Sequence, residues 1–282
     1  MSTDYSSWIG RTRTEEGFCR AYPSDMLNAT LDRDDAPLKN GDAIPPGWHI
    51  IYFYELVKLA DTGRDGHARL GTFMPPVPAE RRMWASTSMT FHRPLKVGEH
   101  LKKVTTIRSI ESKDGGQGPL TFVTLRNEIF GDGTLATTDD HTTVYRGPAD
   151  PNAPPPAPRP APGKAVWRRT IHPTTVLLFR FSALTMNSHR IHYDLDYVRD
   201  VEKYPGLLFH GPLTMVMLLD LFRREKPQAE LKTFKVRAVS PLYHTADFTV
   251  EGEPAADGRS AKLWAMNPAG ALAMQADATF EG

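Results

Sequence analysis

A short stretch in the second half of the chain combines an amide with two imidazoles. Asn187, His189 and His192 fall within six residues, directly after the apolar segment 175–184. Imidazole has an unperturbed pKa near ~6.5, so it can exchange protons at neutral pH. The amide of Asn187 can donate and accept hydrogen bonds, so it can hold a water molecule without carrying charge. This spacing indicates acid/base chemistry.

A second feature follows where an apolar run meets a Gly-Pro step at Gly211 and Pro212. Proline at this position fits the first turn of a helix, because its missing N–H is no loss there. The apolar residues 213–222 then predict the helix itself. The N–H of Gly211, at the positive end of the helix dipole, is suited to hold developing negative charge. Together with the preceding cluster, it suits chemistry on a carbonyl compound.

The composition excludes several classes of protein. Of the 282 residues, 34 are Lys or Arg and 33 are Asp or Glu, so no charge excess favours nucleic acid or an anionic membrane as partner. The single cysteine, Cys19, excludes an intramolecular disulfide and favours a reducing compartment. No segment has the length and hydropathy of a signal peptide or a membrane span. We therefore expect a cytoplasmic protein with a small-molecule partner.

Proline divides the chain into two parts of similar length. Eight prolines fall within residues 148–162, and this composition predicts an extended, semi-rigid linker. The linker separates a first domain, 1–147, from a second domain, 163–282.

The two domains share an order of elements. In the second domain the predicted helix is followed by four alternating segments, and in the first the apolar segment 50–59 is followed by four more. The alternating segments are 83–91, 99–110, 120–130 and 134–145 in the first domain and 231–239, 243–253, 260–267 and 271–280 in the second. A unit of one helix and four strands, present twice, predicts an α+β fold. Its two antiparallel sheets, each wrapped round a central helix, would join into one curved surface.

The polar cluster resembles a known motif. The pattern 184–192, followed by His210-Gly211, is similar to the hydratase-2 motif of MaoC-like (R)-specific enoyl-thioester hydratases and dehydratases. Residues 167–225 resemble in particular the two-hot-dog branch of that family. This branch includes hydroxyacyl-thioester dehydratase type 2 and the mesaconyl-C4-CoA (3-methylfumaryl-CoA) and itaconyl-CoA hydratases. Through residues 45–49 and 91–95 the first domain resembles the non-catalytic copy, so the resemblance covers nearly the whole chain.

The resemblance implies a double hot-dog fold with a non-catalytic domain at 1–147 and a catalytic MaoC-like domain at 163–282. It implies an enoyl-CoA hydratase, or 3-hydroxyacyl-CoA dehydratase, with an acyl-CoA thioester as partner. We also expect no cofactor, no metal, no nucleic acid and no membrane partner, and a homodimer stays open. His192 falls on the catalytic histidine of the family, whereas Asn187 falls on its catalytic aspartate. Because an amide cannot accept a proton as a carboxylate does, the acid/base work shifts to His192.

These correspondences suggest a role for each residue. We expect His192 to take a proton from water, Asn187 to hold that water and the Gly211 N–H to bind the thioester oxygen.

Three more residues are candidate substrate-binding groups. His189 would orient the base or be the base itself, and His210 would support the turn before the helix. Arg190 would bind a phosphate or carboxylate in a bidentate contact. The histidines also raise the question of zinc, but the chain offers no carboxylate or cysteine at ligand spacing beside them.

The aromatic residues Trp48, Tyr52 and Phe53 suggest a filled, short tunnel. We therefore expect a short branched or dicarboxylic acyl-CoA of the mesaconyl-C4-CoA or itaconyl-CoA type. Three alternatives stay open: the longer 3-hydroxyacyl chains of fatty-acid synthesis, a hot-dog thioesterase, and a non-catalytic acyl-thioester binding protein.

Overall fold

The computed structural model describes residues 4–78, 81–115, 118–147 and 157–282. In these residues ten strands form one sheet, with every neighbouring pair antiparallel. The strands are β1 (Thr12–Phe18), β2 (Arg81–Phe91), β3 (His100–Gly115), β4 (Gly118–Gly131), β5 (Thr134–Arg146), β6 (Trp167–Ile171), β7 (Glu230–Ala238), β8 (Phe248–Pro254), β9 (Ser260–Met266) and β10 (Leu272–Glu281). The α-helices are α1 (Ala21–Thr30), α2 (Thr175–Thr185) and α3 (Gly211–Glu225).

The two halves of the chain meet at the middle of the sheet. The strand order is β1-β3-β4-β5-β2-β7-β10-β9-β8-β6, so β2 pairs with β7. In this pair Thr87 lies opposite Val236 and Met89 lies opposite Phe234. All four side chains are buried, so the seam is part of the packed interior. Each half thus covers a sheet edge that the other would leave open, as the repeat predicted.

The eight strands predicted from alternation are confirmed as β2–β5 and β7–β10, and the predicted helix 213–222 is confirmed as α3. The strands β1 and β6 were not predicted. They lie at the two outer edges of the sheet, and their sequences TRTEEGF and WRRTI are rich in charge. Charged edge strands lack the apolar alternation on which the prediction depends.

The prediction that the segment 50–59 forms a central helix is wrong. Trp48–Ile51 form one short 3₁₀ turn, and residues 53–58 have neither helix nor strand. Trp48 and Ile51 are buried, whereas Leu56 and Leu59 are 89% and 87% exposed. The segment therefore has no continuous buried face, which an amphipathic helix requires. The helix of the first half is α1 instead, and it packs against α2.

The helix α3 is the centre of the second half. Residues 213–222 are all buried, and the helix contacts β6, β8 and β9. Asp220 is among these buried residues, and its carboxylate accepts hydrogen bonds from Arg33, Arg169 and Arg224 at 2.7–2.8 Å. Three guanidinium groups compensate for burying this charge. Because Arg33 belongs to the first half, the network also joins the two halves.

Part of the predicted linker can be placed. Residues 157–162 form neither helix nor strand, and the carbonyl of Arg159 accepts a hydrogen bond from the N–H of Leu272 at 2.8 Å. Residues 148–156 of the linker lie outside the described residues. Within the described ranges, none of the helices combines the length and the hydropathy needed to cross a bilayer.

Candidate active site

His192 ends a short 3₁₀ turn, Arg190–His192, that follows α2. Its ring is only 7% exposed, and Nδ1 lies 2.8 Å from the carbonyl oxygen of Leu208. Because a carbonyl can only accept, Nδ1 carries the proton and Nε2 keeps its lone pair. Burial lowers the pKa of His192 to about 4. The ring is therefore neutral at neutral pH, and Nε2 is available as a base.

The imidazole of His210 packs against that of His192. The two rings are stacked, with centroids 3.6 Å apart and an angle of 19° between their planes. The ring of His210 is fully buried, and its Nε2 lies 2.9 Å from the hydroxyl of Ser182 on α2. Burial lowers the pKa of His210 well below its ordinary value. This position favours a supporting role over the direct substrate contact expected from the sequence.

Two further imidazoles extend the stacked pair into the histidine cluster, which we define as His67, His189, His192 and His210. The ring centroid of His189 lies 5.6 Å from that of His192, and the ring of His67 lies 4.4 Å from His189. Burial, reinforced by the Arg82 guanidinium, lowers the pKa of His67 to about 3. Burial, and then the rings of His67 and His192, lower the pKa of His189 below its ordinary range. All four rings are thus neutral at neutral pH.

His67 comes from the first half and was not identified from the sequence. Its loop is fixed to the second half, since Ser188 Oγ donates to the carbonyl of Gly66 at 2.5 Å and the Arg190 N–H donates to that of Asp65 at 2.9 Å. Gly66 has a φ of +90°, and a Cβ there would lie 2.0 Å from the Ser188 carbonyl oxygen. Only glycine allows this approach. The available signal was a histidine directly after the turn-forming step Asp65-Gly66.

Arg82 on β2 holds the same loop from the other side. Its Nε and Nη2 donate to the two carboxylate oxygens of Asp65 at 2.8 and 3.1 Å, and Nη2 also donates to the carbonyl of Ala68 at 3.2 Å. Burial raises the pKa of Asp65, but the pairing with Arg82 holds it below its ordinary value overall. Arg82 thus binds the loop on both sides of His67, at Asp65 and at Ala68, and this restricts where the imidazole can lie.

Gly211 begins α3, and the first helical bond runs from the Thr214 N–H to the His210 carbonyl at 2.9 Å. In the described part of the chain no acceptor is found for the Gly211 N–H. The indole of Trp84, from β2, covers this residue, since a Cβ on Gly211 would lie 2.8 Å from Trp84 Cε3. The Trp84 N–H donates to Thr87 Oγ1 at 3.0 Å, which fixes the indole. The first half thus supplies a wall beside the free N–H.

The side chain of Asn187 already makes one hydrogen bond to the backbone. Its Oδ1 accepts the N–H of His189 at 3.0 Å, and its own N–H donates to the Ser182 carbonyl at 2.8 Å. One lone pair of the side-chain carbonyl therefore closes the turn that presents His189. Among the described residues no partner is found for the amide nitrogen, so it can donate to water. The expected role in holding water stays a prediction.

Arg190 is engaged with the protein. Its Nε and Nη2 donate to the same carboxylate oxygen of Asp194 at 2.9 and 2.7 Å, and its guanidinium lies 4.2 Å from the ring centroid of Tyr197. These contacts give Arg190 a role in holding the turn after His192. The bidentate contact with a substrate anion stays a prediction, and it would require the pair with Asp194 to open.

The arrangement suits the activation of water. A neutral imidazole nitrogen on His192, a free amide on Asn187 and an N–H at the start of a helix can together remove a proton and hold a developing oxyanion. No group of three or more His, Cys, Asp or Glu side chains in the described ranges is arranged to hold a metal ion.

Known proteins resemble this chain over most of its length. The family model of hydroxyacyl-thioester dehydratase type 2 matches residues 47–244. The mesaconyl-C4-CoA hydratase of Chloroflexus aurantiacus is 38% identical over 282 residues, which cover 100% of this chain and 99% of that protein. The mitochondrial hydroxyacyl-thioester dehydratase type 2 of Schizosaccharomyces pombe is 27% identical over 259 residues, covering 80% of this chain and 85% of that protein.

The fold also has solved counterparts. A Mycobacterium tuberculosis protein with a double hot-dog fold superposes with a TM-score of 0.58 at 15% identity, covering 97% of this chain and 96% of that chain. This likeness shows the fold alone, and it confirms the double hot-dog architecture. The motif at 184–192 and the full-length match to a hydratase lead to one assignment. The chain belongs to the hydroxyacyl-thioester dehydratase type 2 family of MaoC-like hydro-lyases.

Proposed function

We propose that the protein is an enoyl-CoA hydratase, and in reverse a 3-hydroxyacyl-CoA dehydratase, for a short dicarboxylic acyl-CoA of the mesaconyl-C4-CoA type. The observation that carries the reaction class is the neutral His192, whose Nδ1 is fixed by Leu208 so that Nε2 is the base. The substrate class is supported by the 38% identity over the whole chain to a mesaconyl-C4-CoA hydratase. We place the reaction in the cytosol, with a CoA thioester as the partner.

In the proposed reaction His192 Nε2 takes a proton from water, and the water oxygen forms a bond to C3 of the enoyl thioester. The electron pair of the C2–C3 double bond moves towards the thioester oxygen, where the Gly211 N–H stabilises the negative charge. The proton on Nε2 then passes to C2, which completes the addition. Asn187 donates a hydrogen bond that positions the water.

The low pKa of His192 is compatible with this role. With a pKa of about 4, the ring is unprotonated throughout the neutral range, so the base form is always present. When Nε2 takes a proton, the enolate forms beside it, and a neighbouring negative charge favours the imidazolium. The stacked ring of His210 stays neutral because it has no exposed surface.

The first half supports a short acyl group. Trp48, Ile51 and Tyr52 are buried. The start of this turn meets α3, since a Cβ on Gly47 would lie 2.5 Å from Leu219 Cδ1 and the Arg223 guanidinium lies 5.5 Å from the ring centroid of Trp48. The Tyr52 hydroxyl also donates to the carbonyl of Arg20 at 2.7 Å. The start of the segment that was expected to be a second central helix is thus a buried aromatic turn. This packing favours a short substrate over the long 3-hydroxyacyl chains of fatty-acid synthesis.

The test follows enoyl absorbance and free thiol together, with crotonyl-CoA, mesaconyl-C4-CoA and itaconyl-CoA as substrates. We expect loss of absorbance without thiol release, most rapidly with mesaconyl-C4-CoA. Thiol release would indicate a thioesterase, and no reaction with any substrate would indicate a binding protein. His172→Gln is the matched control for variants of the cluster, because this histidine side chain is 70% exposed and pairs only with Asp247 among described residues.

A further inference from the structure

The histidine cluster contains ring nitrogen atoms that the proposed hydration reaction does not use. His192 Nδ1 is bound to Leu208, and His210 Nε2 is bound to Ser182. In the described ranges no protein partner is found for the ring nitrogens of His67 and His189, and none of these nitrogens is fully enclosed. A neutral imidazole always carries one N–H donor. Two partly or fully buried rings, 4.4 Å apart, therefore present unused donors to accessible space.

The positive charge of Arg82 beside these rings favours the binding of an anion. The guanidinium of Arg82 lowers the pKa of both His67 and His189, although burial is the larger cause for each, so its positive potential reaches both rings. The Asp65 carboxylate balances part of that charge, and it accepts hydrogen bonds from Arg82 and from the backbone N–H of His67. Its effect on the pKa of His67 is smaller than that of Arg82. The site therefore offers hydrogen-bond donors under a positive potential.

The geometry of a dicarboxylic substrate matches this location. In a thioester of the 3-methylfumaryl type the free carboxylate is carried on C3, the carbon that receives water. One C–C bond of about 1.5 Å joins the carboxylate carbon to C3. The carboxylate must therefore lie beside the water held by His192. The ring of His189 is adjacent to His192 at 5.6 Å, and the ring of His67 follows at 4.4 Å. Arg190, which lies on the same segment as His189 and His192, is held by Asp194.

We propose that His67 and His189 form a subsite that binds the free carboxylate of the acyl group through their ring N–H donors. The proposal rests on the proposed function for its class of substrate. It gives the first half of the chain a part in specificity, because His67 is carried on the loop that Arg82 and Ser188 hold in place. A monocarboxylic acyl group would leave these donors without a partner.

Equilibrium binding of two saturated thioesters tests the subsite without turnover. Succinyl-CoA carries a carboxylate on C3, and butyryl-CoA carries a methyl group there. We expect the wild type to bind succinyl-CoA about 10- to 100-fold more tightly by calorimetry, the range expected for hydrogen bonds to a charged group. His67→Leu should remove most of this preference, and His67→Gln, which keeps a donor, should retain part of it. His100→Gln is the control, because this first-half histidine has a side chain 43% exposed on β3.

Equal affinity of the wild type for the two thioesters would overturn the subsite, and this measurement needs no variant to fold. If a folded His67→Leu lost affinity for both thioesters by the same factor, the subsite would also be overturned, because a general structural role would produce that result. The proposed function fails separately. A wild type that prefers succinyl-CoA but hydrates no enoyl thioester would refute the hydratase assignment and leave the subsite standing.

Discussion

Gly211→Ala would place a methyl group against the indole of Trp84 at the start of α3. The new Cβ would lie 2.8 Å from Cε3, 3.3 Å from Cδ2 and 3.5 Å from Cζ3 of that ring. The first distance is well inside van der Waals contact, so the indole or the helix start must move. The indole cannot rotate freely because its N–H is bound to Thr87. Overpacking of this kind costs about 1–3 kcal/mol of folding free energy.

The same movement would displace the N–H that we assign to the thioester oxygen. Loss of one such donor costs about 3 kcal/mol in the transition state, or roughly 100-fold in kcat. Urea denaturation and hydration of crotonyl-CoA would measure the two effects. Trp84→Ala removes the indole that the methyl group meets, so we expect the double variant to be more stable than the sum of the two single changes predicts. Strict additivity of the two free energies would refute the assigned contact.

Three further predictions follow from burial and charge. Asp220→Ala should lower the free energy of unfolding by about 3–5 kcal/mol in chemical denaturation, because Arg33, Arg169 and Arg224 would lose their buried counter-ion, whereas a loss below 1 kcal/mol would show that the network is dispensable. The rate constant kcat/KM should be constant through neutral pH and fall only as the pH drops towards about 4, where His192 is protonated; an acid limb near pH 6.5 would contradict the burial of this ring. Stability should also fall as the pH decreases from about 6.5 towards 4 in urea titrations, because the unfolded chain binds protons that the buried rings reject, and a flat profile would contradict neutral burial.

The strands were predictable where alternation and burial coincide. In much of β10, for example, buried and exposed residues alternate, so apolar residues recur with a period of two. β1 and β6 pair on one side only and carry charges, and their positions depend on the strands they meet. The segment 50–59 shows the reverse case, because its apolar residues include Leu56 and Leu59, which the fold leaves exposed. Apolar content alone does not define a buried helix.

The site was predictable where it is local in sequence. Asn187, His189 and His192 lie on one short segment after α2, so their spacing was enough to make them candidates. His67 and Trp84 were not assigned to the site, because they reach it through the packing of one half against the other. No local pattern reports such a contact. The halves are therefore less separate in function than the repeat suggested, since both contribute side chains to one site.

Turnover of mesaconyl-C4-CoA by His192→Gln tests whether this histidine is the base, and binding of succinyl-CoA shows whether the site of the variant is intact. General base catalysis contributes about 10²- to 10⁴-fold, so kcat should fall by that factor while the affinity for succinyl-CoA stays within about threefold of the wild type. His172→Gln should match the wild type in both measurements. Near-normal kcat in a folded His192→Gln would contradict the assignment of this histidine as the base.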